Sequence, residues 1–208
     1  MEKESNYKVS IVLAAYNTVA YISKCLDSIP IRDDVEVVII DDCSTDGTEI
    51  ALKKYCEVNP NAKLIRNEHN IGFAMSINRA YDECSGEYIT QLDSDDYYFT
   101  DVVNDIISHD LTADLVYFDL KANDGKIWHC TPETRDIFMD HVFFIKRDLL
   151  GAHRRPNRPW GSGIDFNKAI QSEVDAFNKT IKYTKKVAYM YNFPREGSIL
   201  DKRNKGLL

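Results

Sequence analysis

Four short apolar runs alternate with helix-like segments over the first hundred residues of the chain. The runs are Lys8–Ala15, Val35–Ile40, Lys63–Arg66 and Tyr88–Leu92. They are nearly continuous and rich in β-branched residues, which is typical of strands buried on both faces of a parallel sheet. Between them, apolar residues recur at helical spacing in Val19–Ile29, Ala51–Cys56 and Ala74–Cys84. Because short links join strand to helix throughout, the pattern predicts a parallel, doubly wound α/β layer.

The pattern becomes less regular after Thr100. Helical spacing recurs in Asp101–Ser108 and Asp165–Phe177, and β-like runs stand at Leu115–Leu120, Lys126–Cys130, Val142–Ile145 and Val187–Phe193. The segment His153–Gly163 between them is basic and rich in turn residues, so it predicts a long loop. We expect one domain over residues 1–208.

Polar side chains follow three of the four predicted strands of the first half. Tyr16 and Asn17 end the first strand, Asp41 and Asp42 end the second, and the fourth runs into residues 93–96, Asp-Ser-Asp-Asp, the acidic turn. Ligands of parallel sheets bind beyond the carboxyl ends of the strands, so these side chains are expected to share one crevice. Bunched carboxylates favour a hard divalent cation such as Mg²⁺ or Mn²⁺, which prefers oxygen ligands. The alternative is a solvated acidic turn.

Composition narrows the class of protein. A net charge of −7 argues against a general nucleic-acid binder. Five cysteines without CxxC spacing predict neither a disulfide framework nor a zinc site. The N-terminus lacks an apolar leader, and no run approaches the roughly 18 apolar residues of a membrane span. These features predict a cytoplasmic protein without a transmembrane segment, and they leave peripheral attachment to the membrane open.

Several common motifs are absent, among them GxGxxG after the first strand, the P-loop and GxSxG. The blocks present instead are VSIVLAAYN (9–17), VEVVIIDDCSTDGT (35–48), NIGFAMSINRAYDECSGEYITQLDSDD (70–96) and, more weakly, GSGIDFNKAI (161–170) and YNFPREGSI (191–199). In order and spacing they resemble the family 2 glycosyltransferases of the GT-A fold. The resemblance implies an α/β fold with a mainly parallel, Rossmann-like sheet flanked by helices and a small C-terminal acceptor-side subregion. Residues of about 1–98 would bind the nucleotide sugar, and about 99–208 the acceptor.

The resemblance also implies a donor site for a nucleotide-diphosphate sugar, with a UDP-sugar as the default. Tyr16 and Asp42 would hold the base, Asp93 would lie near the ribose and the metal, and Asp95 would coordinate Mn²⁺ or Mg²⁺. The positions that match the donor-binding pattern are Ala14, Tyr16, Asn17, Asp42, Asn70, Gly72, Asn78, Asp93 and Ser94, with Asp93 and Asp95 as metal ligands. Two alternatives stay open. First, Tyr16 could instead be a core aromatic at the strand end. Second, Asp96 could ligate the metal or only support the turn.

Family 2 enzymes invert the anomeric centre and use one carboxylate as general base. That base is the Asp of an ED pair at the start of a late helix, and Asp165 is the matching position, although Ile164 replaces the Glu. The alternative interpretation makes Asp165 the N-cap of the helix.

Other positions depart from the family pattern. Ile77 stands where many relatives carry an arginine, so Arg66 or Arg79 would have to replace its diphosphate contact. Ala14 and its neighbour stand where the proline of a PxYN block is usual, and Cys43 replaces a commoner glycine, which we interpret as packing.

The basic loop matches the acceptor side of the family in position. Arg154, Arg155 and Arg158 would grip phosphate, Trp160 would stack on a sugar ring, and Arg195 would border the diphosphate. An anionic acceptor is therefore expected, such as a lipid-linked glycan, a teichoic-type polymer or nucleic acid. The alternative is a solvated loop with its tryptophan pinned to the core. The histidines lack metal-like spacing, so His129 and His141 are not favoured as ligands.

Two rival functions remain from the sequence. A nucleotidyltransferase that makes sugar nucleotides shares the α/β layer and the metal carboxylates, but it needs a Gly-rich basic loop after the first strand, which LAAYNTVAY does not supply. A non-catalytic nucleotide-sugar binding module fits the missing Glu and the short second half.

Overall fold

One mixed sheet runs through the protein in a computed structural model that describes residues 7–131, 141–158 and 161–192. The strands are β1 (Val9–Ala15), β2 (Val35–Asp41), β3 (Ala62–Arg66), β4 (Tyr88–Gln91), β5 (Tyr97–Tyr98), β6 (Leu115–Ala122), β7 (Ile127–Trp128), β8 (Phe143–Lys146) and β9 (Ile181–Tyr191). The helices are α1 (Ile22–Asp27), α2 (Thr48–Val58), α3 (Phe73–Asp82), α4 (Thr100–His109), α5 (Arg147–Leu150) and α6 (Ser162–Ala176).

The strand order is β3-β2-β1-β4-β8-β6-β9-β5, with β7 paired to β6. Strands β3, β2, β1 and β4 pair with one another in parallel, which confirms the predicted alternation of strand and helix in the first half. In the second half, β8 is antiparallel to β4 and β6, β9 is parallel to β6, and β5 is antiparallel to β9. The predicted parallel sheet therefore describes β1 to β4, and the rest of the sheet is mixed.

Both faces of the sheet are covered, as the continuous apolar runs predict. Alternate residues of β1 belong to two separate hydrophobic clusters, with Ile11 and Leu13 in one and Val12 in the other. Helices α1 and α4 contribute to the first cluster, and α3 and α6 to the second. This arrangement is a doubly wound, three-layer fold in which the strand ends at one edge stay free for a ligand.

A buried carboxylate closes the amino ends of the parallel strands. Glu36 Oε1 accepts hydrogen bonds from Ser10 Oγ at 2.5 Å, from Ser85 N at 2.5 Å and from Gly86 N at 3.0 Å. A Cβ atom added to Gly86 would lie 2.6 Å from the Ser10 nitrogen, so only glycine fits there. We call these four residues the Glu36 cluster.

Some boundaries differ from the predictions. Helix α6 begins at Ser162, three positions before the predicted Asp165, and β9 begins at Ile181 rather than at Val187. The added part of β9 is rich in lysine and becomes a strand because it pairs with β6, which is a tertiary effect that periodicity does not report. Across the described ranges, no helix combines the length and apolar character needed to cross a bilayer.

Candidate active site

The ends of β1, β2 and β4 lie side by side at one edge of the sheet. Ala15 pairs with Asp41, and the N–H of Asp42 donates to the Ala15 carbonyl at 2.8 Å. The N–H of Leu92, just past β4, donates to the Val12 carbonyl at 2.9 Å. The predicted convergence of the polar strand ends is therefore confirmed.

The end of β1 supplies one exposed ring and one bracing amide. Tyr16 is 48% exposed, so the interpretation as a core aromatic is wrong and its ring is accessible for stacking. Asn17 has a left-handed φ of 51°, its N–H donates to Ser44 Oγ at 3.1 Å, and its Oδ1 accepts from the Thr45 N–H at 2.8 Å. Ala14 is buried in the core, so any donor contact at this position is left to its main chain.

Asp42 is 2% exposed and organises the loop that precedes α3. Its carboxylate accepts from Asn67 Nδ2 at 2.7 Å and from the N–H groups of Ile71 and Gly72 at 2.9 Å each. These bonds position Asn70, which is exposed, and Gly72, which caps α3 with a φ of 89°. A direct contact between Asp42 and the base stays a prediction.

The arginines suggested as substitutes on the donor side already have protein partners. Arg66 forms an ion pair with the fully buried Asp41, and Arg79 donates to the side-chain oxygen of Asn67. Ile77 itself is fully buried in the core. The donor-side cation that the family pattern places at position 77 therefore has no simple replacement in these two residues.

The acidic turn meets a histidine from the second half. Single ligand atoms of Asp93, Asp96 and His141 all lie within 4.8 Å of one another, and His141 Nδ1 is 4.0 Å from Asp93 Oδ2. Asp96 and His141 are buried, whereas Asp93 and Asp95 are partly exposed. Asp95 lies outside this close group, so its predicted metal contact stays a prediction. His141, which its sequence context did not favour, joins the site.

A buried tyrosine from β9 organises the turn. The Tyr189 hydroxyl donates to Asp96 Oδ2 at 2.7 Å and accepts from the Asp93 N–H at 3.1 Å. The N–H of Asn192 donates to Asp96 Oδ1 at 2.7 Å, and the rings of Tyr189 and His141 have centroids 4.9 Å apart. Asp96 thus supports the turn through both oxygens, which is one of the two roles considered for it.

The donor chemistry of this group fits a divalent cation. Burial, together with the charges of Asp93 and Asp95, raises the pKa of Asp96 to about 8. Such a shift means that the turn lacks enough positive charge of its own to keep all its carboxylates ionised. Carboxylate oxygens are the ligands that hard divalent cations such as Mg²⁺ and Mn²⁺ prefer, so the carboxylates of this group fit such a cation.

Arginines of the basic loop are engaged with the protein. Arg154 contacts Asp82 at 2.5 Å, and Arg158 pairs with Asp165. Arg155 is only 2% exposed, so the structure does not support the prediction that it grips an acceptor phosphate. Trp160 and Arg195 lie outside the described residues.

Asp165 is the fourth residue of α6, and its side chain is 46% exposed. Gly161 is the N-cap residue, with a φ of 75°, so the interpretation of Asp165 as the N-cap is wrong. An exposed carboxylate in the first turn of a helix benefits from the partial positive charge at the helix start, in addition to its Arg158 partner.

Two predicted donor residues are buried. Ser94 is 6% exposed, and Asn78 is 7% exposed. The Asn78 amide makes two hydrogen bonds with the main chain of Arg155, each at 2.8 Å. Asn78 Nδ2 donates to the Arg155 carbonyl, and the Arg155 N–H donates to Asn78 Oδ1. Asn78 therefore anchors the basic loop, and its predicted donor contact stays a prediction.

Sequence reasoning missed Gln91 and Tyr189. Gln91 Nε2 donates to Asp93 Oδ1 at 2.6 Å from within β4. A glutamine inside an otherwise apolar strand was a usable signal, because a buried amide requires partners. Tyr189 carried no comparable signal, since it stands in a run that contains several tyrosines.

Comparison with known proteins identifies the family of the chain. The family model described as "Glycosyl transferase family 2" matches residues 10–173. A chondroitin synthase from Escherichia coli is 39% identical over 182 residues, which cover 80% of this chain and 25% of that protein.

Solved structures share the fold. The crystal structure of S. aureus TarS 1-349 in complex with UDP-GlcNAc superimposes on this chain with a TM-score of 0.77 at 24% sequence identity. The match covers 93% of this chain and 60% of that chain. The mannosyltransferase PcManGT from Pyrobaculum calidifontis, in complex with GDP-Man and Mn²⁺, has a TM-score of 0.71 at 23% identity, covering 91% and 58%.

This chain spans only part of the length of the relatives that it matches. For the chondroitin synthase, the match covers a quarter of that protein. The family match nevertheless covers most of the present sequence, from β1 into α6. The chain therefore belongs to glycosyltransferase family 2 and has the GT-A fold.

Proposed function

We propose that the chain is a metal-dependent, inverting glycosyltransferase that moves a sugar from a nucleotide-diphosphate sugar to an acceptor hydroxyl. The observation that carries this proposal is the grouping of Asp93, Asp96 and His141 within 4.8 Å at the carboxyl edge of a GT-A sheet. Tyr16 stands exposed at the same edge, one strand away.

On the donor side, Tyr16 stacks on the base, and Asp42 holds the loop that brings Asn70 to the nucleotide. Asp93 and His141 of this group, joined by Asp95 as the family pattern implies, would hold Mn²⁺ or Mg²⁺, while Asp96 supports the turn through Tyr189 and Asn192. A bound cation of this kind supplies Lewis-acid stabilisation of the charge on the leaving diphosphate. A UDP-sugar is the proposed donor, supported by the likeness to TarS, whose structure contains UDP-GlcNAc.

On the acceptor side, Asp165 is the general base. The acceptor oxygen forms a bond to the anomeric carbon while the bond from that carbon to the diphosphate breaks, and the hydroxyl proton passes to the Asp165 carboxylate. Arg158 holds Oδ2 of this carboxylate and thereby orients it. The inverted product follows from this single displacement.

The proposed acceptor is a glycan hydroxyl, which is supported by the similarity to a chondroitin synthase. Arg158, with a side chain that is 45% exposed, is the described arginine of the basic loop best placed to meet an anionic group on that glycan.

The test incubates purified protein with Mn²⁺ and a panel of UDP- and GDP-sugars, with and without oligosaccharide acceptors. We expect the release of nucleoside diphosphate to rise when acceptor is present. We also expect NMR of the product to show that the configuration of the anomeric carbon is inverted. Pyrophosphate chemistry would point to a nucleotidyltransferase, and binding without turnover would point to a binding module. Either outcome overturns the proposal.

Two variants assign the roles. Asp165→Asn should lower kcat by about 10²–10⁴-fold and leave donor binding intact, because a general base acts only in the chemical step. Asp95→Ala should abolish metal-dependent nucleotide binding. A fully active Asp165→Asn protein would show that another group is the base.

A further inference from the structure

A chain of buried side chains leads from the basic loop to the acidic turn. Gln91, 3% exposed, donates from Nε2 to Asp93 Oδ1 at 2.6 Å and accepts at Oε1 from Arg155 Nη2 at 2.7 Å. Arg155 is 2% exposed, so its bond to Gln91 lies away from bulk water, where it is stronger than at the surface, and the bond from Gln91 to Asp93 is partly buried.

Arg155 is held on several sides. Its main chain makes the double hydrogen bond with Asn78 of α3. Its guanidinium carbon lies 5.7 Å from the ring centroid of Phe73 and 5.0 Å from that of Phe166, one in α3 and the other in α6. The guanidinium therefore has little freedom, and its position relative to Gln91 is fixed by both helices.

The chemistry of arginine sets the orientation of Gln91. A guanidinium only donates hydrogen bonds, so the oxygen of the Gln91 amide must face Arg155 and its NH₂ group must face Asp93. Asp93 Oδ1 is then occupied, and Oδ2 is the oxygen that lies 4.0 Å from His141 Nδ1. The Gln91 bond thus restrains one carboxylate oxygen, and the other oxygen lies towards the histidine.

We propose that Gln91 and Arg155 are positioning residues that hold Asp93 in the orientation needed for metal coordination, an inference that rests on the proposed function. Arg155 acts through Gln91, whose amide oxygen it holds from the second half of the chain. This link makes the metal site depend on the loop that leads into α6, since Arg155 stands in that loop. Partners of this kind, outside the ligands themselves, typically change metal affinity by 10–100-fold.

The experiment measures Mn²⁺ affinity of the full chain by electron paramagnetic resonance of free Mn²⁺, without nucleotide. Gln91→Leu should weaken binding by about 10–100-fold. Arg155→Met, which keeps an apolar stem between the two phenylalanines, should weaken it in the same direction by a smaller factor. The double variant should bind as weakly as Gln91→Leu alone, because Arg155 acts through that amide.

The matched control is Gln171→Leu. Gln171 Nε2 donates to Asp175 Oδ1 at the same 2.6 Å, but this exposed pair lies in the second half of α6 and has no hydrogen bond to Asp93 among those the structure gives for the described residues. It should leave Mn²⁺ affinity unchanged. Far-ultraviolet circular dichroism and urea unfolding accompany every variant, and Gln91→Met serves as a second apolar replacement if Gln91→Leu does not fold.

The outcomes separate two failures. If the unmodified protein does not bind Mn²⁺, the metal site of the proposed function is wrong. If it binds Mn²⁺ and a folded Gln91→Leu or Gln91→Met protein binds equally well, the positioning role is overturned. Strictly additive effects of the Gln91 and Arg155 variants would overturn the claim that Arg155 acts through Gln91.

Discussion

The parallel strands carry buried carboxylates at both ends, and the two ends treat them differently. At the amino end, Glu36 is 5% exposed and accepts from one main-chain N–H each of Ser85 and Gly86 and from serine hydroxyls. At the carboxyl end, Asp96 is 2% exposed and has two donors, but it shares its turn with Asp93 and Asp95. Burial and these two charges raise its pKa to about 8.

The comparison teaches that burial alone does not distinguish a structural carboxylate from a functional one. Glu36 stands alone among neutral donors, which satisfy its charge and tie three segments of chain together. The acidic turn concentrates charge that its own donors do not offset, and such a group is stable only with a cation or with a bound proton. The first arrangement stabilises the fold, and the second prepares a site.

The largest expected effect is at the carboxyl end. Asp93→Asn keeps the size of the side chain and removes a charge proposed to hold the metal, so kcat should fall by at least about 100-fold. The unfolding free energy in EDTA should be unchanged or higher, because one of three repelling carboxylates is gone. Steady-state diphosphate release and urea unfolding check the two halves of the prediction.

The control for this variant is Asp33→Asn, an exposed residue before β2, which should alter neither quantity. If Asp93→Asn lowers the unfolding free energy in EDTA, Asp93 stabilises the fold as Glu36 does. The proposed difference between the two ends of the sheet would then be wrong.

The mirror-image effect belongs to the amino end. Glu36→Ala leaves the Ser85 N–H without this acceptor and the Gly86 N–H with the Ser10 hydroxyl alone, and it should lower the unfolding free energy by about 3 kcal/mol. The kcat of the folded protein should stay unchanged, because the Glu36 cluster lies at the opposite edge of the sheet. Urea unfolding and kinetics on the same preparation test it, and a large fall in kcat without loss of stability would contradict it.

A third carboxylate, that of Asp114, makes the stability of the fold depend on pH. The Thr180 hydroxyl and N–H, helped by Lys146, lower the pKa of Asp114 to about 2. The folded state therefore favours the charged form, so this stabilisation is present above pH 4 and is lost as the pH falls from about 4 to about 2. It is on the order of 2 kcal/mol.

Asp114→Asn should lower the unfolding free energy at pH 7 and flatten its decline below pH 4, measured by urea unfolding from pH 2 to pH 7. Lys146→Met is the companion variant, with a smaller effect, because the Lys146 contact at 3.3 Å is longer than the threonine bonds. An unchanged acid limb in Asp114→Asn would mean that other carboxylates govern it.

Much of the first half could be predicted from the sequence. Continuous apolar runs specify strands buried on both faces, and the carboxyl ends of parallel strands necessarily share an edge. The order of the strands along the chain is therefore enough to place Tyr16, Asp42 and the acidic turn at one crevice.

The second half could not be predicted to the same depth. His141 reaches the acidic turn beside β8, which pairs with β4, and Arg155 reaches Gln91 through the basic loop; no periodicity reports such contacts. Arg155 was predicted to grip an acceptor phosphate, which needs an exposed guanidinium, but packing against two phenylalanine rings and an amide buries it. Burial of single charged side chains is decided by the tertiary structure.

The smallest expected effect concerns backbone strain, which also differs between the two ends. Asn17 and Cys43, both at the carboxyl edge, have left-handed φ values of 51° and 66°. Asparagine tolerates this region, whereas a cysteine Cβ there costs roughly 1 kcal/mol. This geometry also fits the glycine that the family pattern has at this position.

Cys43→Gly should therefore raise the unfolding free energy by about 0.5 kcal/mol, after the larger entropy of glycine in the unfolded chain offsets part of the gain. Cys43→Ala is the matched control, since it removes the thiol but keeps the Cβ, and it should bring no gain. Urea unfolding of both variants, run beside the unmodified protein, resolves the difference. If Cys43→Ala stabilises as much as Cys43→Gly, the thiol rather than the backbone is the source, and strain would not distinguish the two ends of the sheet.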